Sequence, residues 1–163
     1  MISGRARGAW ALAFGLLVGV APLARAQRAA GPRPELRLEA IVSRHTSVQA
    51  GVGVNAAAGT YLRWGLVAAT GATQRDGRTV ATWRADVVVR FLLDPFRESP
   101  RGVYGLSGIS TVDDGSRHVK PAVFVGAGIE GRPHGAVIPA VELALGGGAR
   151  VAFVVRRTRP GRR

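Results

Sequence analysis

From Glu35 onward, apolar and polar residues alternate along the chain in segments of about ten residues. A strand sends successive side chains to opposite faces, so alternation with a period of two predicts strands and not helices. Turn-forming residues separate each segment from the next. The pattern therefore predicts eight strands, at residues 35–43, 47–54, 59–70, 82–93, 102–111, 121–130, 136–145 and 149–157.

The connections between these segments indicate the topology. Neighbouring strands joined by short connections pair in the antiparallel sense. We therefore predict an all-β fold, an antiparallel up-and-down β-barrel of about eight strands, over residues 35–157. If the first strand runs outward, residues 70–81 and 112–120 form external loops, and residues 55–58 and 131–135 form internal turns. Residues 94–101 are longer than expected for an internal turn.

The segment at 82–93 raises the question of which face points outward. Trp83, Val87 and Phe91 share an apolar face, while Arg84 and Arg90 lie on the other. Along the chain the charged face also carries many Gly and Ala residues. Gly weakens an exposed strand and packs against nothing there, whereas inside a narrow barrel small residues leave room for long side chains.

We therefore predict that the apolar face meets lipid and that charges fill the lumen. Because an unpaired buried charge is costly, we expect Arg to pair with Asp or Glu across this lumen, with at least one Arg beside Glu142 and one beside Asp86. The predicted lumen charge network consists of Arg37, Glu39, Arg63, Arg84, Asp86, Arg90, Glu130, Glu142 and Arg150.

The first 26 residues have the features of a signal peptide. Arg5 and Arg7 precede an apolar run at 9–20, and Ala24-Arg25-Ala26 provides the small residues at Ala24 and Ala26 that signal peptidase requires. The run is too short to span a membrane, which needs about 20 residues. We predict export with cleavage after Ala26, followed by a flexible lead-in at 27–34.

The amino-acid composition limits the kinds of site and partner that the chain can have. The chain has no Cys, which excludes disulfides, thiol catalysis and zinc-thiolate sites. Its formal charge of +13 comes from 22 Arg and one Lys against ten acidic residues. The Arg residues are spread along the chain and aromatic residues are few, so we predict no nucleic-acid binding. The Arg-rich end from Arg156, with a basic tail at 158–163, is expected to be solvated and to touch acidic lipid headgroups or cell-wall polymers.

The predicted barrel resembles the small eight-stranded outer-membrane β-barrels of the OmpA/OmpX type. Gly148, Val151 and Phe153 resemble the assembly signal in the last strand of such barrels. The resemblance implies a monomer in the bacterial outer membrane, with membrane lipid and the barrel assembly machinery as partners and a structural or interaction role. The chain departs from this pattern by continuing past Phe153 to Arg163. It also has few girdle aromatics, namely Tyr61, Trp64, Trp83, Tyr104 and a few Phe residues.

Pro139 bears on the fold, and the three His residues bear on possible chemistry. Pro139 cannot donate to a strand ladder, so its strand is expected to bulge or to lie at a seam. The His residues, His45, His118 and His134, fall in predicted turns, and we predict no catalytic residues, no metal and no cofactor.

Two alternatives remain open at this point. One is a soluble periplasmic barrel that, like lipocalins, binds a small apolar ligand. The other is a membrane-embedded lipid A-modifying enzyme. His45 and Ser47 have the spacing found in outer-membrane lipid A deacylases, which also use a downstream Glu, and the first Glu after them is Glu98.

Overall fold

The computed structural model describes residues 31–96, 101–113 and 119–157. Ala24 and Ala26 of the predicted signal peptide and the predicted tail at 158–163 lie outside these ranges. The eight predicted strands and the all-β class are confirmed. The strands are β1 (Arg33–Val42), β2 (Thr46–Ala57), β3 (Leu62–Arg75), β4 (Arg78–Leu92), β5 (Gly102–Asp113), β6 (Val119–Glu130), β7 (Val137–Leu145) and β8 (Ala149–Arg157).

The strands form one closed barrel in sequence order, with every neighbouring pair antiparallel. Closure is made by β1 and β8, which pair from Glu35↔Arg156 to Val42↔Ala149. The register stays constant within each ladder, so no bulge interrupts the paired strands. Followed once around the eight strands, the register is offset by ten residues, which means that the strands are tilted to the barrel axis. None of the described ranges contains a helix long and apolar enough to cross a membrane.

The two ends of the barrel differ in their connections. At the terminal end, where β1 begins and β8 ends, the connections are residues 58–61, 93–101 and 131–136. At the opposite end, the turn end, the connections are residues 43–45, 76–77, 114–118 and 146–148. The longest connection therefore lies at the terminal end.

The predicted external loop at 70–81 is wrong. β3 continues to Arg75, β4 begins at Arg78, and only Asp76 and Gly77 join them. Both have positive φ, 49° and 73°, as a two-residue type I′ hairpin turn requires. Residues 55–58, predicted as a turn, also belong largely to β2, and β1 starts two residues inside the predicted lead-in.

The expectation that Pro139 makes its strand bulge or marks a seam is also wrong. The β7–β8 register runs through Pro139↔Val155 without a break. The Gly131 N–H donates to the Pro139 carbonyl at 2.8 Å, one position beyond the last β6–β7 pair, Glu130↔Ala140. The missing N–H of Pro139 therefore falls where that ladder ends, and the barrel closes around it.

The outer wall of the barrel is apolar and its interior carries the charges. Val87 is 51% exposed on the outside, whereas its neighbours on the other face, Arg84 and Asp86, are 2% and 3% exposed. Across the described strands, outward positions carry a charge only at Asp113 and Arg157, both at strand ends.

Candidate functional site

The structure brings all nine predicted network residues into the barrel interior. Eight of them are buried, and the Arg63 side chain is 21% exposed near the terminal end. Each reaches the interior because it falls on the inward parity of its strand. They come from six strands: Arg37 and Glu39 on β1; Arg63 on β3; Arg84, Asp86 and Arg90 on β4; Glu130 on β6; Glu142 on β7; and Arg150 on β8.

Glu142 is the centre of a first group of contacts nearer the terminal end, called here the Glu142 cluster. Its carboxylate accepts hydrogen bonds from Arg90 Nε at 3.0 Å and from the Tyr104 hydroxyl at 2.8 Å. Arg37 and Arg156 also donate to it. Charge-assisted hydrogen bonds from three guanidinium groups thus surround one buried carboxylate.

Arg156 extends the Glu142 cluster to two further carboxylates. Its Nε donates to Glu35 at 3.1 Å and its Nη1 to Glu130 at 2.8 Å. The expectation that Arg156 belongs to a solvated end is therefore wrong. The inward parity of β8 runs on to Arg156, whose partner on β1 is Glu35.

Tyr104 is also placed differently from the prediction. It was expected in an outer aromatic girdle, but it is 1% exposed inside the barrel, where its hydroxyl accepts a hydrogen bond from Arg156 at 3.0 Å. Its partner on β6 is Gly128, and a Cβ at Gly128 would stand 2.4 Å from the Tyr104 ring. The absence of a side chain at Gly128 is what gives the Tyr104 ring its space.

A second group of contacts, the Arg84 cluster, lies nearer the turn end. Arg84 donates to Glu39 and Asp86 and, through Nε at 3.3 Å, to Gln49. The Gln49 amide in turn donates to Thr82 at 3.0 Å. Gln49 is not among the predicted network residues, although it lies on the same parity of β2 as they do on their strands and pairs with Glu39 on β1.

Arg37 and Arg150 complete the network in different ways. Arg37 bonds to Glu142 and lies 3.9 Å from Glu39, so it links the two clusters. Arg150 lies 3.6 Å from Asp86, beyond hydrogen-bond length, and its Cζ stands 4.7 Å from the centroid of the Phe124 ring.

The lumen is filled by its own side chains. Beside the charges lie the inward apolar residues Val67, Val88, Leu106 and Phe124. A cavity between the clusters has a volume of about 20 Å³, enough for about one water molecule. A small apolar ligand has no space in this cavity between the clusters.

A larger cavity, called here the mouth cavity, opens at the turn end with a volume of about 410 Å³. His45 and Ser47, the pair considered for lipid A chemistry, both line it. Within the described ranges no hydrogen bond joins their side chains, and Glu98 lies outside those ranges. Asp114 and His118, which follow β5 in the sequence, also lie outside the described ranges.

The predicted assembly-signal residues lie apart from both clusters. Val151 and Phe153 point outward from β8 and are about half exposed. Gly148 lies in the β7–β8 turn with a φ of +138°. A Cβ there would stand 3.0 Å from the Val42 carbonyl oxygen, so the turn approaches β1 closely.

No family model and no curated protein matches the chain. Among solved structures it is similar to the N-terminal β-barrel domain of Pseudomonas aeruginosa OprF, with a TM-score of 0.53 and 11% identity. That similarity covers 80% of this chain and 98% of the OprF domain. The chain thus has the architecture of a small outer-membrane barrel. The predicted resemblance is confirmed at that level.

A second similar structure comes from the de novo design of transmembrane β-barrels. Its TM-score is 0.48 with 16% identity, over 77% of this chain and 93% of the designed one.

Proposed function

We propose that this chain is an exported outer-membrane β-barrel with a plugged, charged lumen, and that its role is structural or interaction-based, without catalysis. The observation that carries the proposal is the outer wall. In water, so continuous an apolar surface would drive association, whereas in a bilayer it is the surface that lipid solvates. A closed barrel also leaves no strand edge unpaired in lipid.

The interior supports the absence of transport and of catalysis. Arg84, Arg90 and Glu142 each make several contacts to opposite charges or polar side chains, so most of their donors and acceptors are occupied by other lumen side chains. Arg90 Nη1 is buried without a hydrogen-bond partner among the described residues. Such a network stabilises the position of the strands around a narrow tube. An eight-stranded barrel has an interior just wide enough for its side chains.

The partners proposed for this function are membrane lipid and the barrel assembly machinery. Lipid is favoured by the outward Leu, Val and Phe side chains on all sides of the barrel. The assembly machinery is favoured by Gly148, Val151 and Phe153 in the last strand, two of which point outward where another protein can reach them. We propose a monomer, because closure satisfies the ladder hydrogen bonds within a single chain.

Fractionation of a bacterium with two membranes that expresses the full chain tests the proposal. The chain is expected in the outer-membrane fraction, resistant to extraction at high pH. Unheated samples should migrate in detergent gels as a compact form that heating converts to the unfolded one. Recovery of folded chain from the periplasm in the absence of detergent would contradict membrane insertion.

A further inference from the structure

The mouth cavity has no part in the structural role proposed above. At about 410 Å³ it lies within the range of small-molecule sites, about 300–1,000 Å³. Two residues of the Arg84 cluster, Gln49 and Thr82, also line this cavity. Hydroxyl groups of Ser43, Ser47 and Thr73 add polar lining to its wall.

The charges that line this cavity have one sign. Its lining within the described part of the chain includes Arg44, Arg75, Lys120 and Arg150, together with His45, and it includes no carboxylate. Asp76 lies 3.8 Å from Arg75, but the Asp76 side chain is 89% exposed on the tip of the hairpin. A concave surface lined by positive charge concentrates the field on an incoming anion.

The surroundings of the Arg150 side chain point most directly to a ligand. It is 5% exposed, and its Nε has no hydrogen-bond partner. Its nearest carboxylate, Asp86, is already bonded to Arg84. Arg150 therefore shares its nearest carboxylate with Arg84, and an anion above Arg150 would provide a further counter-charge.

The rim of the barrel shows how an anion could enter. β6 begins at Val119, but its pairing with β7 starts only at Val125. The β7–β8 turn is seated against β6 at this point, since a Cβ at Gly146 would stand 2.1 Å from the Val123 carbonyl oxygen. The rim is therefore lower over β7 and β8 than over β3 and β4. The cavity can be entered over this low rim as well as along the barrel axis.

We propose that the mouth cavity binds a phosphate group, with Arg150 at its floor and Arg44 and Arg75 at its rim. Several guanidinium groups around one space match an anion with several acceptor oxygens and more than one negative charge, and Arg binds such oxygens in a bidentate manner. The phosphate is either free or part of a lipid headgroup. In the second case its acyl chains would lie against Leu145 and Val151, which are exposed on the outer wall below the low rim.

Thermal unfolding of the folded full chain in a phosphate-free maltoside detergent tests the site. Inorganic phosphate is titrated against chloride at matched ionic strength, and the shift in unfolding temperature gives the dissociation constant. Phosphate is expected to raise the unfolding temperature. Arg44→Gln combined with Arg75→Gln should weaken phosphate binding about tenfold or more, because each removes a charged hydrogen-bond donor. Arg78→Gln is the matched control, since this exposed Arg lies at the same end but outside the lining.

Arg150→Gln is measured in parallel. If Arg150→Gln does not fold, the rim variant, which combines Arg44→Gln with Arg75→Gln, still tests the site.

The lipid source is tested by adding phosphatidic acid to the micelles, with diacylglycerol as the matched lipid that lacks the phosphate. Tighter binding of phosphatidic acid than of inorganic phosphate assigns the site to a headgroup, and equal binding assigns it to the free anion. The proposal would be overturned if phosphate raised the unfolding temperature no more than chloride does, or if it raised that of the rim variant as much as that of the wild type. The inorganic-phosphate result does not depend on membrane location, so it can fail or succeed separately from the proposed function.

Discussion

At the residue scale, Glu142 shows what the alternating pattern can predict and what it cannot. The inward parity of β7 predicts that Glu142 lies inside, and the energetic argument predicts an Arg beside it. Its Arg partners are Arg37 on β1, Arg90 on β4 and Arg156 on β8. These pairings depend on the tilt of the barrel, which sets the level of each strand and is not visible in any single segment.

The first prediction concerns Glu142→Gln. Loss of the carboxylate charge leaves three guanidinium groups without their shared partner, and breaking a buried pair costs about 3–5 kcal/mol. We expect a clearly lower unfolding temperature in detergent. Asp76→Asn is the control, because its exposed pair with Arg75 contributes at most about 1 kcal/mol and Asn tolerates a positive φ. Equal and mild effects of the two substitutions would contradict a buried network.

Tyr104 was missed because its segment, GVYGLSGIST, carries Gly and Ser on both parities. A usable signal was the Gly128 of the following segment, but only the β5–β6 register places it opposite Tyr104. Once the register is known, small and large residues match in pairs across neighbouring strands. Gly128 and Tyr104 are such a pair.

The second prediction tests this pair with Gly128→Ala. The added Cβ would overlap the Tyr104 ring, which is fixed by its bonds to Glu142 and Arg156. Overpacking of this kind costs about 1–3 kcal/mol, so the unfolding temperature should fall. Gly105→Ala is the control on the adjacent strand, because a Cβ at Gly105 meets no atom within 4 Å. If both variants unfold at the wild-type temperature, Gly128 is not required for the position of the ring.

At the scale of whole elements, the number and order of strands could be predicted, but several of their ends could not. The Asp76-Gly77 turn was overlooked because residues 70–81 are rich in small and polar residues, which is also typical of a loop. Asp-Gly between two alternating segments is a strong signal for a two-residue hairpin. For Pro139 the error was the opposite, because an irregularity was predicted where the strand is regular. A missing N–H donor at the end of a ladder leaves the pairing of the neighbouring residues intact.

The third prediction concerns the last strand, β8. If its outward residues are recognised during assembly, Phe153→Ser should reduce the fraction of compact barrel in the membranes of growing cells. Phe91→Ser is the matched control, because Phe91 is 49% exposed on the outer wall and Phe153 is 51% exposed. Both variants should refold equally well from denaturant into detergent. Equal assembly of the two variants in cells would count against a role of Phe153 in recognition.

At the scale of the whole molecule, the two faces of the barrel carry opposite chemistry. The same alternation that puts Arg84, Asp86 and Arg90 inside puts Trp83, Val87 and Phe91 outside. A one-residue shift of register would exchange these faces, so the burial of the charges and the apolar outer wall depend on each other. The sequence could predict this division because it repeats in nearly every strand. It could not predict the mouth cavity, which arises where strands of unequal length meet.

The fourth prediction uses this division to test which solvent the outer wall meets. Val87→Arg places a charge on the outward face in the middle of β4. If lipid surrounds it, insertion near the midplane costs about 2–4 kcal/mol, and the compact form should be lost from membranes. Thr79→Arg, on the same face near the turn end of β4, should cost about 0–1 kcal/mol because the charge reaches the interface. In a water-soluble barrel both positions would be solvated and the variants would fold alike. The depth dependence along one strand therefore separates a membrane barrel from a soluble one, and an equal result at residues 79 and 87 would favour the soluble form.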